Sequence, residues 1–265
     1  MAFLELKYHS DALGMGVSVN VVLPEKAKTL IGMNANGASS PTYKTLYLLH
    51  GLSDDHSIWM RRTSIERYAA DYGIAVVMPS VARSWYTDTA YGMKYLTFVS
   101  QELPAVCQSY FRGMSARRED NLVAGLSMGG YGAVKVALTR PDLFGYCASF
   151  SGVLDVVNMW EPSLWREGRF IFGCDLTGFS DLAGTKHDLF ALATRMKDSD
   201  IPFPELYLWC GESDSLLGNN RKFHEHLLSL GVEHTYAESP GNHSWPYWDE
   251  QIQKTLRLFL GKGKA

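Results

Sequence analysis

The sequence predicts an α/β fold in which a mostly parallel central sheet is covered by helices on both faces. Short, nearly continuous apolar runs alternate with helix-length amphipathic segments along most of the 265 residues. Such runs are typical of parallel strands that are buried on both faces, and strands alternating with helices favour an open α/β sheet. The runs predicted as strands are Thr45–Leu49, Ile74–Met78, Leu122–Ala124, Tyr146–Phe150 and Leu206–Trp209.

The flanking elements follow from two other patterns. Alternating apolar and polar residues predict an antiparallel strand pair at Phe3–Tyr8 and Val17–Leu23. A loop rich in Gly, Asn and Ser, Gly32–Pro41, separates this pair from the parallel runs. Amphipathic periodicity predicts helices at Ser64–Tyr72, Leu96–Phe111, Tyr131–Thr139 and Arg221–Leu230, then a strand at Glu233–Ala237 and a C-terminal helix.

One long segment interrupts this alternation. From Val153 to Pro204 the sequence has no clear strand, but it has several tryptophans and glycines and two helix candidates. Long structureless loops are uncommon in compact domains. We therefore predict one domain over residues 1–265, with a small cap insertion at about 153–204 above the carboxyl edge of the sheet. The alternative is one ordinary crossover with a long loop.

Composition and charge exclude several classes of function. The chain is 46% hydrophobic and 20% charged, as soluble globular domains are. A net charge of −3 with scattered Lys and Arg argues against a nucleic-acid partner. No apolar stretch has the length of a membrane span. The N-terminal alternation is that of a strand rather than a signal peptide. The four cysteines, Cys107, Cys147, Cys174 and Cys210, are widely spaced and form no C-x-x-C pair. Two of them sit in apolar strand-like runs and are predicted to be buried free thiols, so a cytoplasmic protein is expected.

The segment Gly125-Leu-Ser127-Met-Gly129 matches the pattern G-x-S-x-G. A predicted strand precedes it and a predicted helix follows it, which is the strand–turn–helix frame of a nucleophilic serine. Glycines are needed on either side of the serine because a Cβ there would collide with the neighbouring strand or helix. Ser127 is therefore the predicted nucleophile. The alternative is a glycine-rich helix start without chemistry.

A serine nucleophile needs a base and an orienting acid, which in this frame follow in the order Ser, Asp or Glu, His. Asp214 comes just after the strand Leu206–Trp209, and His243 lies in a turn after Glu233–Ala237. We predict these two residues as acid and base, with Glu212 as the alternative acid. The other histidines have different interpretations. His187 is expected to cap a helix or to be exposed at the surface. His224 and His226 are expected to be solvated, and His9 and His234 to be structural.

Acyl transfer also needs donors for the oxyanion of the tetrahedral intermediate. One predicted donor is the backbone N–H of Met128, directly after the nucleophile. The second is the backbone N–H of Leu52, in the loop that follows Thr45–Leu49, where Gly51 permits close approach of the backbone. His50 is predicted to support this loop from beneath, buried and hydrogen-bonded.

These residues sit in seven motifs that run in order through nearly the whole chain. The motifs are Leu48-Leu-His-Gly-Leu-Ser, Trp85-Tyr-Thr-Asp-Thr, Glu102-Leu-Pro, Gly125-Leu-Ser-Met-Gly-Gly-Tyr-Gly, Ala148-Ser-Phe-Ser-Gly, Trp209-Cys-Gly-Glu-Ser-Asp and His243-Ser-Trp. The chain thereby resembles the esterase D family of α/β-hydrolases, and within it the bacterial tributyrin-esterase branch. The resemblance implies an α/β-hydrolase fold and hydrolysis of short-chain acyl esters without a cofactor or metal. It also implies a triad of Ser127, Asp214 and His243 and oxyanion donors at Leu52 and Met128.

The same family includes S-formylglutathione hydrolases, acetyl-xylan and feruloyl esterases, and mycolyltransferases. The loop Gly51-Leu-Ser-Asp-Asp-His replaces the Thr-Cys pair usual in the formylglutathione branch, which argues against a glutathione thioester as main substrate. Acyl transfer to an acceptor other than water, and a binding module on an inactive hydrolase fold, are the alternative functions. The sequence does not determine the oligomeric state, and a homo-oligomer is one of the alternatives. Four aromatic residues are candidates to line the pocket of a small-molecule ester, with packing inside the fold as the alternative for each, and their number keeps aryl esters open; they are Trp85, Tyr86, Trp160 and Trp245.

Overall fold

The computed structural model describes residues 1–27, 29, 31–32, 37, 40–90, 92–159, 168–173, 179–199 and 201–261. A single sheet of eight strands organises the described residues. The strands are β1 Ala2–Ser10, β2 Met15–Leu23, β3 Thr45–Leu49, β4 Ala75–Pro79, β5 Asn121–Leu126, β6 Tyr146–Phe150, β7 Glu205–Gly211 and β8 Thr235–Ser239.

The helices that flank the sheet are α1 Ile58–Arg62, α2 Ile65–Tyr72, α3 Leu103–Tyr110, α4 Met128–Thr139, α5 Leu189–Asp198, α6 Leu217–Ser229 and α7 Trp245–Leu260. A short helical stretch also covers residues 168–172. Among the described residues, no helix combines the length and the apolar character that crossing a membrane requires.

The strand order is β1-β2-β4-β3-β5-β6-β7-β8. The pairs β1–β2 and β2–β4 are antiparallel, and every other pair is parallel, which confirms the predicted mostly parallel sheet. Leu126, Phe150, Trp209 and Ala237 are in register across β5 to β8. The loops that follow these four strands therefore leave the sheet at one edge.

Helices cover both faces of the sheet, as predicted. One apolar cluster joins the sheet to α1, α2 and α7, and the other joins it to α3, α4, α5 and α6. Successive β5 residues alternate between the two, since Val123 belongs to one cluster and Leu122 and Ala124 to the other. A strand that is buried on both faces needs apolar residues at every position, and this explains its uninterrupted apolar run.

The predicted helix at Leu96–Phe111 is divided in the structure. It consists of a helical turn at Tyr95–Thr97, a π-helical stretch at Phe98–Glu102 and then α3. Pro104 lacks the N–H that would bond to the carbonyl of Ser100 four residues earlier. That carbonyl instead accepts a hydrogen bond of 3.0 Å from Arg140. The proline thus accounts for the local widening of the helix.

The segment from Val153 to Pro204 contains α5, which is the crossover helix between β6 and β7. Its buried residues Leu189, Ala193 and Met196 join the apolar cluster on the α4 face. Residues 160–167 and 174–178 lie outside the described residues, so the cap insertion stays a prediction. Of the four cysteines, Cys107, Cys147 and Cys210 are buried and free, whereas Cys174 falls outside the described residues.

Candidate active site

Ser127 occupies a tight turn between the end of β5 and the start of α4. Its backbone angles, φ 53° and ψ −119°, lie where L-residues are rarely found. A Cβ on Gly125 would lie 2.3 Å from the carbonyl oxygen of Gly129, and one on Gly129 would lie 2.6 Å from the Leu49 carbonyl oxygen. Only glycine fits at both positions. The strand–turn–helix frame predicted around Ser127 is therefore present.

His243 and Asp214 are joined by a hydrogen bond. His243 Nδ1 lies 2.9 Å from Asp214 Oδ2, and the Asp214 carboxylate is fully buried while 36% of the His243 side chain is exposed. Because a carboxylate only accepts, the Nδ1 proton belongs to the histidine, and in the neutral ring Nε2 is then the nitrogen with a free lone pair. Glu212, the alternative acid, is exposed. The structure thus pairs the predicted base with the predicted acid.

The Asp214 carboxylate is held in its charged form. Burial alone raises the pKa of Asp214, but hydrogen bonds from the His243 ring and the Leu216 N–H outweigh burial and lower the pKa below its ordinary value. The Leu216 N–H lies 2.9 Å from Asp214 Oδ1. An ionised carboxylate at this position stabilises a positive imidazole on His243.

Ser127 and His243 lie at the same edge of the sheet. The Ser127 N–H donates to the carbonyl of Phe150 over 3.0 Å. The next residue, Ser151, accepts a hydrogen bond of 3.3 Å from the indole of Trp248, whose ring centre lies 4.9 Å from that of His243. Within the described part of the chain, the Ser127 hydroxyl and the His243 ring share no direct hydrogen bond. Their functional pairing is therefore a proposal.

The loop after β3 approaches the nucleophile closely. A Cβ on Gly51 would lie 2.8 Å from a methyl group of Leu126 and 3.9 Å from the Cβ of Ser127. The next residue, Leu52, is partly buried against the apolar cluster of the α4 face. Met128 is the first residue of α4, where a backbone N–H has no partner within the helix and the helix dipole favours negative charge. The two predicted oxyanion donors thus belong to backbone segments beside Ser127.

His50 supports this loop, as predicted. It is 1% exposed, its Nε2 accepts the Val81 N–H over 3.0 Å, and its Nδ1 lies 2.7 Å from the carbonyl oxygen of Gly51. Since Nε2 accepts, Nδ1 carries the proton and donates it to Gly51. Burial lowers the pKa of His50 to about 4, so the ring is neutral at neutral pH.

The four aromatic residues predicted to contact substrate lie in different environments. Trp85 is 2% exposed and Tyr86 is fully buried, which favours packing roles for both. Trp245 is partly buried, with its ring centre 5.0 Å from that of Trp59. Trp160 lies outside the described residues. A substrate contact by any of the four stays a prediction.

The structure adds Ser151 to the surroundings of Asp214. Ser151 is buried with φ 48°, and its hydroxyl contributes to the lowered pKa of Asp214. Sequence reasoning missed this role, although Ser151 belongs to one of the seven motifs. Ser151 directly follows β6, the strand next to β5 in the sheet, and this position could have indicated that it lies near the site.

Two expectations about histidines were wrong. His187 neither caps a helix nor faces solvent, because it is 5% exposed and Asp188 provides the cap of α5 through hydrogen bonds to Phe190 and Ala191. His224 and His226 are not merely solvated, since both are partly buried, His224 Nδ1 lies 2.7 Å from Nε2 of His234, and His226 Nε2 lies 3.0 Å from the carbonyl oxygen of Phe190.

The chain is similar to known proteins over nearly its whole length. A profile of the family described as "Putative esterase" matches residues 10–259. An acetyl esterase of Caldicellulosiruptor saccharolyticus is 29% identical over 258 residues, which are 95% of this chain and 96% of that protein.

Two solved structures from Staphylococcus aureus extend the similarity over 98% of this chain and of each of theirs. The fluorophosphonate-binding serine hydrolase FphF, with substrate bound, is 34% identical with a TM-score of 0.85. The S-formylglutathione hydrolase FrmB is 35% identical with a TM-score of 0.83. Assignment to the tributyrin-esterase branch stays a prediction. The chain belongs to the esterase family of α/β-hydrolases, and it is a serine hydrolase of carboxylic esters.

Proposed function

We propose that this esterase hydrolyses short-chain acyl esters through an acyl-enzyme on Ser127, with His243 as base and Asp214 as orienting acid. The observation that carries the proposal is the 2.9 Å hydrogen bond between His243 Nδ1 and Asp214 Oδ2, at the sheet edge where Ser127 occupies its strained turn. The bond leaves the Nε2 lone pair of His243 available for a proton.

The proposed reaction has two halves. In the first, His243 Nε2 takes the Ser127 proton while the serine oxygen attacks the ester carbonyl, and the tetrahedral intermediate expels the alcohol, which takes that proton. In the second, water attacks the acyl-enzyme, gives its proton to His243 and releases the acid, and the proton returns to Ser127. The apo enzyme need not show the Ser127–His243 hydrogen bond, because catalytic hydrogen bonds often tighten only with substrate bound.

The N–H groups of Met128 and Leu52 would stabilise the oxyanion in both halves. Each such donor lowers the barrier by about 3–4 kcal/mol in comparable enzymes. Backbone donors are held by their own chain segments, so little reorganisation is needed as charge develops. Because a side-chain substitution at Leu52 leaves its N–H in place, it would probe the pocket rather than the donor.

The short acyl group is proposed from the similarity to the acetyl esterase, which extends over 95% of this chain. A second candidate is S-formylglutathione, a thioester, because FrmB of Staphylococcus aureus is 35% identical over 98% of both chains. The loop at Gly51–His56 lacks the Thr-Cys pair usual in the formylglutathione branch, and this favours the oxygen ester.

A substrate panel tests the proposal. We would measure kcat/KM for p-nitrophenyl esters from acetyl to octanoyl, for a feruloyl ester and for S-formylglutathione. We expect the highest value among the shortest oxygen esters. A higher value for S-formylglutathione or for long acyl chains would refute the substrate assignment. New esters formed in the presence of alcohol or sugar acceptors would instead indicate acyl transfer.

The Ser127→Ala variant tests the mechanism separately from the substrate. We expect it to fold, to lose labelling by a fluorophosphonate probe and to lose several orders of magnitude in kcat. Undiminished turnover by this variant would refute the mechanism.

A further inference from the structure

The amine of Lys135 is buried on α4, the helix that starts directly after Ser127. Lys135 lies eight residues after Ser127 on α4 and has no exposed surface. Its Nζ donates a hydrogen bond to the Thr87 hydroxyl and lies 3.1 Å from Nδ1 of His187. Among the described residues it forms no ion pair with a carboxylate. Burying an amine without such a partner disfavours folding, so stability does not explain its presence.

Burial favours the uncharged form of this amine. Burial, and to a lesser extent the positive charge of Lys186, lowers the pKa of Lys135 well below its ordinary value, while Asp88 acts weakly in the opposite direction. Burial lowers the pKa of His187 to about 3. The rings of Tyr131 and Phe172 lie 5.1 Å and 6.0 Å from the amine.

The partner of Lys135, Thr87, belongs to a strained turn. Its hydroxyl donates to the carbonyl of Trp85 over 3.1 Å, and its N–H donates to the carbonyl of Ser84 over 3.2 Å. Trp85 and Tyr86 both have positive φ, 54° and 49°, which large side chains rarely adopt. Such a conformation persists only where the surroundings hold it, and the bond from Lys135 is one of the contacts that do so.

The Trp85–Tyr86 turn is hydrogen-bonded to the loop after β3. The Tyr86 hydroxyl donates a hydrogen bond of 2.9 Å to the carbonyl of His50, two residues before Leu52. The Tyr86 ring also packs closely against α4 at Gly132, where an added Cβ would lie 2.3 Å from the ring. A chain of contacts thus runs from Lys135 to the loop of one proposed oxyanion donor, while α4 itself carries the other donor, Met128.

We propose that Lys135 is a positioning residue of the oxyanion hole. Its bond to Thr87 braces the Trp85–Tyr86 turn, and that turn sets the position of the Leu52 N–H relative to the Met128 N–H. Lys135 does not touch the substrate. The inference rests on the proposed function, because it assigns a support to the donors proposed there.

The main test replaces Lys135 by Met, which has a similar length and no N–H. Because a displaced donor weakens binding of the transition state more than that of the substrate, we expect kcat for p-nitrophenyl acetate to fall about 10- to 100-fold. We expect KM to stay within about two-fold. Affinity for a trifluoromethyl ketone, which forms an anionic tetrahedral adduct with a nucleophilic serine, should fall by the same factor as kcat.

Three further variants complete the test. Thr87→Val removes the acceptor, so it should reproduce the loss, and the double variant Lys135→Met/Thr87→Val should lose no more than either single one. Val136→Ala is the matched control, since it alters an equally buried neighbour on α4 whose side chain has no polar group to bond to Thr87. We expect it to lower thermal stability while kcat stays within about two-fold.

The outcomes separate this inference from the proposed function. Unchanged kcat in folded Lys135→Met, additive losses in the double variant, or an equal loss in Val136→Ala would each overturn the role of Lys135. If Ser127→Ala remains active, the proposed function fails. If Ser127→Ala is inactive and Lys135→Met is fully active, only the inference about Lys135 fails.

Discussion

The imidazole of His243 is bonded to Asp214 through Nδ1, over 2.9 Å, and the partner oxygen belongs to a carboxylate with no exposed surface. The two residues are 29 positions apart in the sequence. They meet because β7 and β8 are neighbouring parallel strands whose following loops leave the sheet at one edge.

Asp214→Asn should therefore be close to inactive while retaining its fold. The amide would donate to Nδ1 and so stabilise the tautomer whose Nε2 carries a proton, which cannot act as base. We expect kcat for p-nitrophenyl acetate to fall by about 10³- to 10⁴-fold. The matched control is Glu212→Gln, an exposed change two residues away, which should retain kcat within about two-fold. Equal losses in both variants would contradict the role of Asp214.

Gly129→Ala should severely destabilise the protein. The new Cβ would lie 2.6 Å from the carbonyl oxygens of Leu49 and His50, which are backbone atoms that cannot rotate away. We expect a loss of more than about 3 kcal/mol in the free energy of unfolding, measured by urea denaturation. Gly218→Ala on α6 is the control, since a Cβ there meets nothing within 4 Å, and it should be neutral or stabilising by up to about 1 kcal/mol. Similar effects of the two changes would contradict the steric argument.

Lys135→Met should change how stability depends on pH. The folded state lowers the pKa of Lys135, so between that pKa and the unfolded value near 10.4 only the unfolded chain holds the proton. The wild-type free energy of unfolding should therefore gain up to about 1.4 kcal/mol per pH unit from this group as the pH rises through that window.

The Met variant lacks this contribution. Its stability relative to wild type should be greatest at lower pH and should diminish as the pH approaches about 10.4. Urea denaturation of both proteins from about pH 7 to about pH 10 measures the difference. Parallel profiles over this range would show that Lys135 does not release its proton on folding.

Two buried histidines should make the fold sensitive to acid. Burial lowers the pKa of His50 to about 4 and that of His187 to about 3, whereas an unfolded histidine titrates near 6.5. Below about pH 6.5 the unfolded chain binds protons that the folded protein does not, so the free energy of unfolding should fall as the pH falls from 6.5 toward 4.

His187→Asn removes one of these two contributions. We expect its free energy of unfolding to decrease less steeply than that of wild type over the same acid range, by up to about 1.4 kcal/mol per pH unit. Urea denaturation at a series of pH values gives both slopes. An unchanged slope would mean that His187 accepts a proton in the folded protein.

The sequence alone determined the fold class and the candidate triad. Both depend on signals that are local in the chain, namely apolar runs of strand length and the motif around Ser127. Asp214 and His243 could be predicted because each follows a recognisable strand, and parallel strands bring such loops to one edge. The five-residue helix α1 could not be predicted, because it is too short for a periodic pattern and is held by tertiary contacts such as the bond from Trp59 to the carbonyl of Leu49.

Only the tertiary structure decided which polar groups meet in the interior. From the sequence, Lys135 was one residue of a predicted helix and His187 one residue of a long segment without strands. Their amine and ring nitrogens meet although the residues are 52 positions apart, and Lys135 meets Thr87 across 48 positions. Hydrophobic periodicity reports which face of an element is buried. It carries no information on which distant side chain lies opposite, since that depends on how the elements pack.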